Sequence, residues 1–213
     1  MDLSLLSYWH NSAMPLKYPR LVTTHNKDQG IQMITVNDST RLRFTLIAEE
    51  HKELLFELDQ DPDVMKYING GKTTTREELD TIFIPRLNAY RNPQKGWGLW
   101  AVHTKEDNAY LGWVLVRPLH FFDDNTATEY NNLELGWRFK KAAWGKGYGT
   151  EAAQAVCNAV SQPGEVTKVC ALAKKENIGS TRIMEKLGMT FIKNIIYKDP
   201  LGDDEVVYYE KTL

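Results

Sequence analysis

Three glycines fall within five residues at Gly145-Lys146-Gly147-Tyr148-Gly149, followed by Thr150-Glu151-Ala152-Ala153. A glycine inside a helix costs roughly 1 kcal/mol relative to alanine, so this density marks a loop that leads into a helix. Such a loop can adopt positive φ and let another group approach its backbone. Its N–H groups and the N-terminus of the following helix would together hold an anion such as a pyrophosphate. A tight turn with no ligand is the other reading of the same letters. Two nucleotide motifs fail on spacing. The Gly-x-x-x-x-Gly-Lys-Ser/Thr of a P-loop is absent. Gly145-x-Gly147-x-Gly149 is not the Gly-x-Gly-x-x-Gly of a dinucleotide-binding unit, whose strands are also parallel.

The elements around the loop follow from periodicity. Residues 132–140 read as the strand that enters it, and 150–160 as the helix that leaves it, with Ala153, Val156, Cys157 and Val160 on one face. Upstream, 41–45 alternates like a strand, and 49–58 places His51, Leu54, Leu55 and Leu58 on one helical face. A short helical turn over 64–68 ends at Asn69-Gly70-Gly71. Thr75 and Glu78 form a capping box that opens a helix burying Leu79, Ile82, Phe83 and Leu87. Pro85 should kink or break that helix. Residues 98–104 and 109–118 read as two strands with a polar turn between them. Downstream come a strand at 168–173, a helix at 177–187 closed by Gly188, and strands at 189–197 and 205–212. Hairpins plus one strand–helix–strand crossover predict an α+β fold with a mixed sheet.

Composition narrows the class. The chain has 213 residues, 26 Lys plus Arg against 28 Asp plus Glu, and no apolar run of 18. That size supports a core without disulfides or metal. The balance of charge argues against a nucleic-acid partner. The absence of a long apolar run argues against a membrane span, and the start lacks the pattern of a signal peptide. Cys157 and Cys170 sit in no redox or metal spacing and read as buried thiols. The five histidines form no ligand pair, so no metal is expected. A cytoplasmic location fits these features. Residues 1–38 read as an N-terminal extension ending in a strand at 31–36. Its two candidate roles are exchange across a homodimer and cover for a groove.

The loop and its flanks resemble the coenzyme A loop of the GNAT acetyltransferases, whose pattern is Gln/Arg-x-x-Gly-x-Gly/Ala. Trp144, Gly147 and Gly149 occupy the patterned positions, and Trp144 departs from the general form. Trp-Gly-Lys-Gly-Tyr-Gly-Thr-Glu-Ala is similar to the RimJ/RimL-like branch. So are Ser39-Thr40-Arg41-Leu42-Arg43, the segment from Asp61 to Tyr67, and Asn177-x-x-Ser180-x-Arg182-x-x-Glu185-Lys186-Leu187-Gly188-Met189. The resemblance spans residues 39–212. It implies a GNAT-like mixed, mostly antiparallel sheet with helices on both faces, in a domain over 39–213.

It also implies acetyl transfer from acetyl-CoA, a cosubstrate, to an amine acceptor, either a protein N-terminus or a small molecule. Glu134, between the apolar Leu133 and Leu135, is the candidate general base. A solvated or Arg-paired carboxylate is its plain alternative. Trp137, Arg138 and Phe139 should present backbone to the pantetheine arm, and one of their N–H groups could hold the oxyanion. Trp144, Gly145, Lys146, Gly147, Tyr148, Gly149 and Thr150 should meet the pyrophosphate. Asn177 and Arg182 are candidate coenzyme contacts, although Asn177 also stands where a helix N-cap belongs. Ser180 is the candidate acid for the leaving thiolate, since the helix lacks the tyrosine many members use. Tyr197, Tyr208 and Tyr209 read as packing residues. Trp97, Trp100, Tyr67, Tyr90, Phe121 and Phe122 are candidates to line the acceptor pocket. Asp123, Asp124 and Glu129 could draw in a cationic amine. A catalytically silent acyl-CoA-binding module, acting as a sensor or interaction domain, is the alternative function.

Overall fold

The computed structural model describes residues 33–213. The first alternating run becomes β1 (Leu42–Leu46), with Leu42 and Phe44 turned inward. The strand expected at 31–36 does not form over its described part. Residues 33–36 join no strand of the sheet, and Ile34 donates its N–H to the Pro93 carbonyl at 3.0 Å. A 3-10 turn (Glu49–His51) leads into α1 (Lys52–Leu58), which buries Leu55 and Leu58. His51 is not on the buried face; its Nδ1 accepts the Ala48 N–H at 3.1 Å and fastens the turn. Helix α2 (Pro62–Asn69) starts where Asp61 accepts the Asp63 N–H and Pro62 needs no donor partner. It ends at Gly70 with φ +80°.

The capping box at Thr75 and Glu78 forms as expected, at the start of α3 (Arg76–Glu78). The effect of Pro85 differs from the expectation. The helix neither breaks nor ends there. It widens into a π segment (Leu79–Phe83) and continues as α4 (Ile84–Tyr90). Ile84 donates to the Leu79 carbonyl, one residue further back than in an α-helix. A wider turn moves the Pro85 ring away from the carbonyl it would otherwise strike.

Strands β2 (Gly98–Thr104), β3 (Tyr110–Leu119) and β4 (Glu129–Phe139) form an antiparallel meander. Helix α5 (Tyr148–Ser161) crosses over to β5 (Lys168–Ala173), which lies parallel to β4. Helix α6 (Ile178–Lys186) precedes the hairpin of β6 (Thr190–Tyr197) and β7 (Asp204–Thr212). The seven strands make one sheet ordered β1-β2-β3-β4-β5-β7-β6, antiparallel at every other pairing. This is the mixed α+β architecture the sequence implied.

Side chains alternate across β4 and sort the two faces. Leu133, Leu135 and Phe139 join the core beneath α5 and α6, with Val156, Val160 and Met184. Each such side chain contributes about 1.5–3 kcal/mol when fully buried. Glu134 and Arg138 face the other layer, built from α1 to α4. Cys157 and Cys170 are both buried and free. Burial pushes both thiols up, which keeps them unreactive.

Candidate active site

Strands β4 and β5 pair over only three residues each, 132–134 against 168–170. Beyond Glu134, β4 continues on β3 alone, and beyond Cys170, β5 continues on β7 alone. A wedge therefore opens between 136–139 and 171–173, and the β4 side of it is a free backbone edge. Trp137 reaches across. Its indole N–H donates to the Ser180 hydroxyl at 3.1 Å, and both side chains are half-buried. Asn177 is the N-cap of α6, accepting the Ser180 N–H at 3.1 Å. Of the two readings open for Asn177, the cap is the one this geometry displays. Arg182 is exposed on another face of α6. It lines an outer groove of about 510 Å³ with Lys175, Phe191 and Asn194, away from Ser180.

The glycine loop stands at the open end of β4. Gly145 and Gly147 have φ of +72° and +79°, and Gly147 is the N-cap of α5. No side chain caps that helix, so its first N–H groups remain available. Gly149 serves a different purpose. A Cβ there would meet Ile183 Cδ1 at 2.8 Å, so its missing side chain lets α6 close on α5. The Trp144 indole N–H folds back to the Phe139 carbonyl at 2.8 Å. Tyr148 and Thr150 are half-buried, and the Lys146 side chain is exposed.

Arg41 holds this loop, a role that sequence reasoning missed. Its Nη1 donates to the Lys146 carbonyl at 3.0 Å, and its guanidinium lies 4.4 Å over the Tyr148 ring. It also pairs with Glu151 on α5 through Nε and Nη2 at 2.7 and 2.6 Å. Ser39 Oγ and the Arg41 backbone N–H complete the shell of Glu151. Burial would raise the Glu151 carboxyl, but these four donors together hold it below its ordinary value. The signal was present in the resemblance at Ser39-Thr40-Arg41, but nothing in the sequence linked it to the loop.

On the opposite face, Glu134 is buried and both its oxygens are engaged. Arg117 binds it in a bidentate pair, Nε to Oε2 at 2.9 Å and Nη2 to Oε1 at 3.0 Å. The Tyr197 hydroxyl donates to Oε2 at 3.2 Å and accepts from Arg117 Nη2 at 3.2 Å. Tyr197 is thus part of this cluster rather than only a packing residue. Burial, then the facing Glu134 carboxylate, raise its phenol above the ordinary range. Burial would lower the Arg117 guanidinium, but Glu134 more than offsets it and keeps it charged. Beside the cluster, Arg138 pairs with the buried Asp59, which also accepts the Thr74 hydroxyl. Arg86 on α4 pairs with Asp199 in the β6–β7 turn at 2.7 Å.

Of these groups, Asp59, Arg86, Arg117 and Arg138 border a cavity of about 170 Å³ between the α1–α4 layer and the sheet. Of the expected lining aromatics, Tyr90 and Phe122 are there. Trp97 and Trp100 belong to the core cluster beneath α5, Tyr67 sits half-buried on α2, and Phe121 packs edge-on against Tyr90. Asp123, Asp124 and Glu129 do not border the cavity. Asp123 is taken up by its own turn, and Glu129 by Asn132. Among the described residues no cluster of His, Cys, Asp and Glu could hold a metal ion, and no helix is long and apolar enough to cross a membrane.

Comparison with known proteins agrees with this fold. The family model described as an acetyltransferase (GNAT) domain matches residues 41–190. N-acetyltransferase YnaD of Bacillus subtilis is 30% identical over 159 residues, covering 73% of this chain and 85% of YnaD. A GNAT-family acetyltransferase structure from Bacillus anthracis superposes with TM-score 0.62 at 26% identity, over 85% of this chain and 98% of that one. The ribosomal L7/L12 N-acetyltransferase RimL, solved with coenzyme A, shares the fold at TM-score 0.62 and 15% identity, over 85% and 98% of the two chains.

Proposed function

Because the chain belongs to the GNAT acetyltransferase family and is an acetyl-CoA-dependent N-acetyltransferase, we propose that it transfers acetyl directly to a primary amine, on a protein N-terminus or a small molecule, with both substrates bound at once. The observation that carries this reading is the end of β4–β5 pairing at Glu134 and Cys170. It leaves a free backbone edge on β4 that leads to the uncapped N-terminus of α5.

In this reading the pantetheine arm lies along Trp137, Arg138 and Phe139 as an added strand would, and one of their N–H groups stabilises the oxyanion. The loop from Gly145 to Thr150 takes the pyrophosphate, with Arg41 as the cation already placed beside it. The amine nitrogen attacks the thioester carbonyl, the C–S bond breaks, and the sulfur leaves as the free thiolate or takes the Ser180 hydroxyl proton as water returns one to Ser180. Glu134 takes the proton lost by the amine through a water at Oε1, whose one hydrogen bond in the structure is from Arg117 Nη2.

Calorimetric titration with acetyl-CoA, beside Gly147→Asp, tests the reading. Saturable binding that the variant loses is the expected result. No binding by the wild type overturns it. Binding without turnover of any primary amine replaces it with the acyl-CoA-binding module.

A further inference from the structure

We propose that the acceptor is an amine carrying a carboxylate close to its amino group, and that Arg86, Arg117 and Arg138 recognise that carboxylate. The inference rests on the acetyltransferase reading above and adds the chemical class of the acceptor.

The cavity lies where an acceptor must lie to reach the wedge. Its floor is Trp113, Leu115 and Arg117 of β3 and Arg138 of β4. Arg138 belongs to the stretch of β4 that has no partner in β5. Gly136, paired with Leu115 across the strands, carries no side chain of its own, and the Leu115 side chain packs over it.

Three guanidinium groups border this small space, and Asp59 is the one acidic group among the lining residues. Glu134 and Asp199 pair with Arg117 and Arg86 but are not themselves among the residues lining the cavity. A group inside therefore meets the cations first. Those cations are 11–17% exposed at the side chain, so water satisfies little of their donor capacity. A guanidinium has five N–H donors. Among the described residues Arg86 spends only Nη2 on a carboxylate, and Arg117 leaves Nη1 unspent. Arg138 Nε is buried with no acceptor at all. Charge-assisted bonds to a carboxylate are the strong way to satisfy such groups. The fixed carboxylates hold each guanidinium in place before substrate arrives, and removing a partner from such a pair is costly.

Each cation of this wall already has one fixed carboxylate, and the carboxylate of an amino acid is a further acceptor for the donors left unspent. The rest of the lining is apolar, including Leu55, Leu79, Phe83 and Phe122. Drug-sized ligands fill roughly 300–1,000 Å³. This cavity suits a small apolar amino acid, or a single terminal residue whose side chain supplies the carboxylate.

The test compares acceptors under acetyl-CoA with the full chain: leucine, leucinamide, 3-methylbutylamine, and a neutral peptide bearing an N-terminal aspartate. Leucine or the aspartyl peptide should exceed both counterparts that lack a carboxylate in kcat/KM by at least about tenfold. Preference between those two distinguishes a free amino acid from a chain terminus. Arg86→Gln should raise KM for the preferred acceptor about tenfold while KM for acetyl-CoA moves less than about twofold. Equal or better use of the amines without a carboxylate overturns the proposal and leaves acetyl transfer standing. If no amine turns over, titration of the coenzyme-bound protein with N-acetylleucine and its amide decides. Preference for the acid supports the proposal, and no preference overturns it. Failure of acetyl-CoA itself to bind would instead strike the acetyltransferase reading.

Discussion

Trp137 of β4 and Ser180 of α6 meet across the open end of the wedge, indole N–H to hydroxyl oxygen at 3.1 Å. The bond spends the Ser180 oxygen as an acceptor and leaves its O–H free to donate. Ser180→Ala keeps the helix cap, because Asn177 uses the Ser180 backbone N–H. The expected effect is a fall in kcat of about 10- to 100-fold, at the low end of acid–base contributions. Steady-state kinetics at saturating acetyl-CoA measures it; an unchanged kcat removes Ser180 from the chemistry.

Arg41 should matter for coenzyme binding more than for turnover. It touches the Lys146 carbonyl, the Tyr148 ring and Glu151, all at the loop. Arg41→Ala is expected to raise KM for acetyl-CoA about tenfold, the equivalent of one charge-assisted bond. The guanidinium is 44% exposed, so the wild-type advantage should shrink as salt rises. A KM titration at two ionic strengths checks both parts.

Acid should loosen the same contact. The Glu151 carboxyl is lowered in the folded protein. A group depressed on folding adds stability above its unfolded pKa, about 4.3 for Glu. That stability is lost as pH falls through the lower, folded pKa. The stability gap between wild type and Glu151→Gln should therefore be constant near neutrality and close below about pH 4. Urea melts across that range would show it, and a gap independent of pH would refute the assignment.

Glu134 and Arg117 should separate when changed one at a time. Arg117→Met leaves a buried carboxylate without its cation and should cost about 3–5 kcal/mol. Glu134→Gln keeps an acceptor oxygen for Arg117 and should fold. If Glu134 accepts the amine proton, kcat/KM in this variant falls by about 100-fold or more. Activity that merely follows the folded fraction would make Glu134 a positioning residue for Arg117.

Periodicity and caps carried the fold far. The α5 stripe, the Thr75 capping box and the Gly188 stop are local signals, each contained within a few turns of chain. The glycine loop was legible for the same reason. The ion pairs that surround the site were not. Arg41 and Glu151 are 110 residues apart, and Arg86 and Asp199 are 113 apart. Such pairs have no period, and only the finished sheet brings them together. The reading of Glu134 stayed divided because its partner, Arg117, becomes adjacent only through the β3–β4 register. Pro85 was judged by the α-helix rule alone, and a π turn resolved the clash in a way that no single residue announces.

Among the described residues, three rungs of parallel pairing and the Thr167 N–H bond to the Asn131 carbonyl stitch β1–β4 to the β5–β7–β6 half of the sheet by backbone. The described sheet is in that sense an open book, with Trp137–Ser180, Arg117–Tyr197 and Arg86–Asp199 as side-chain clasps between its leaves. A ligand arm laid along β4 would act as a missing rung between the leaves. Coenzyme would then be a structural member as well as a donor of acetyl. At a hundredfold excess over Kd it should add about 2.7 kcal/mol to the folded state. The added protection against amide exchange should concentrate along both margins of the gutter, at 136–139 and 171–173.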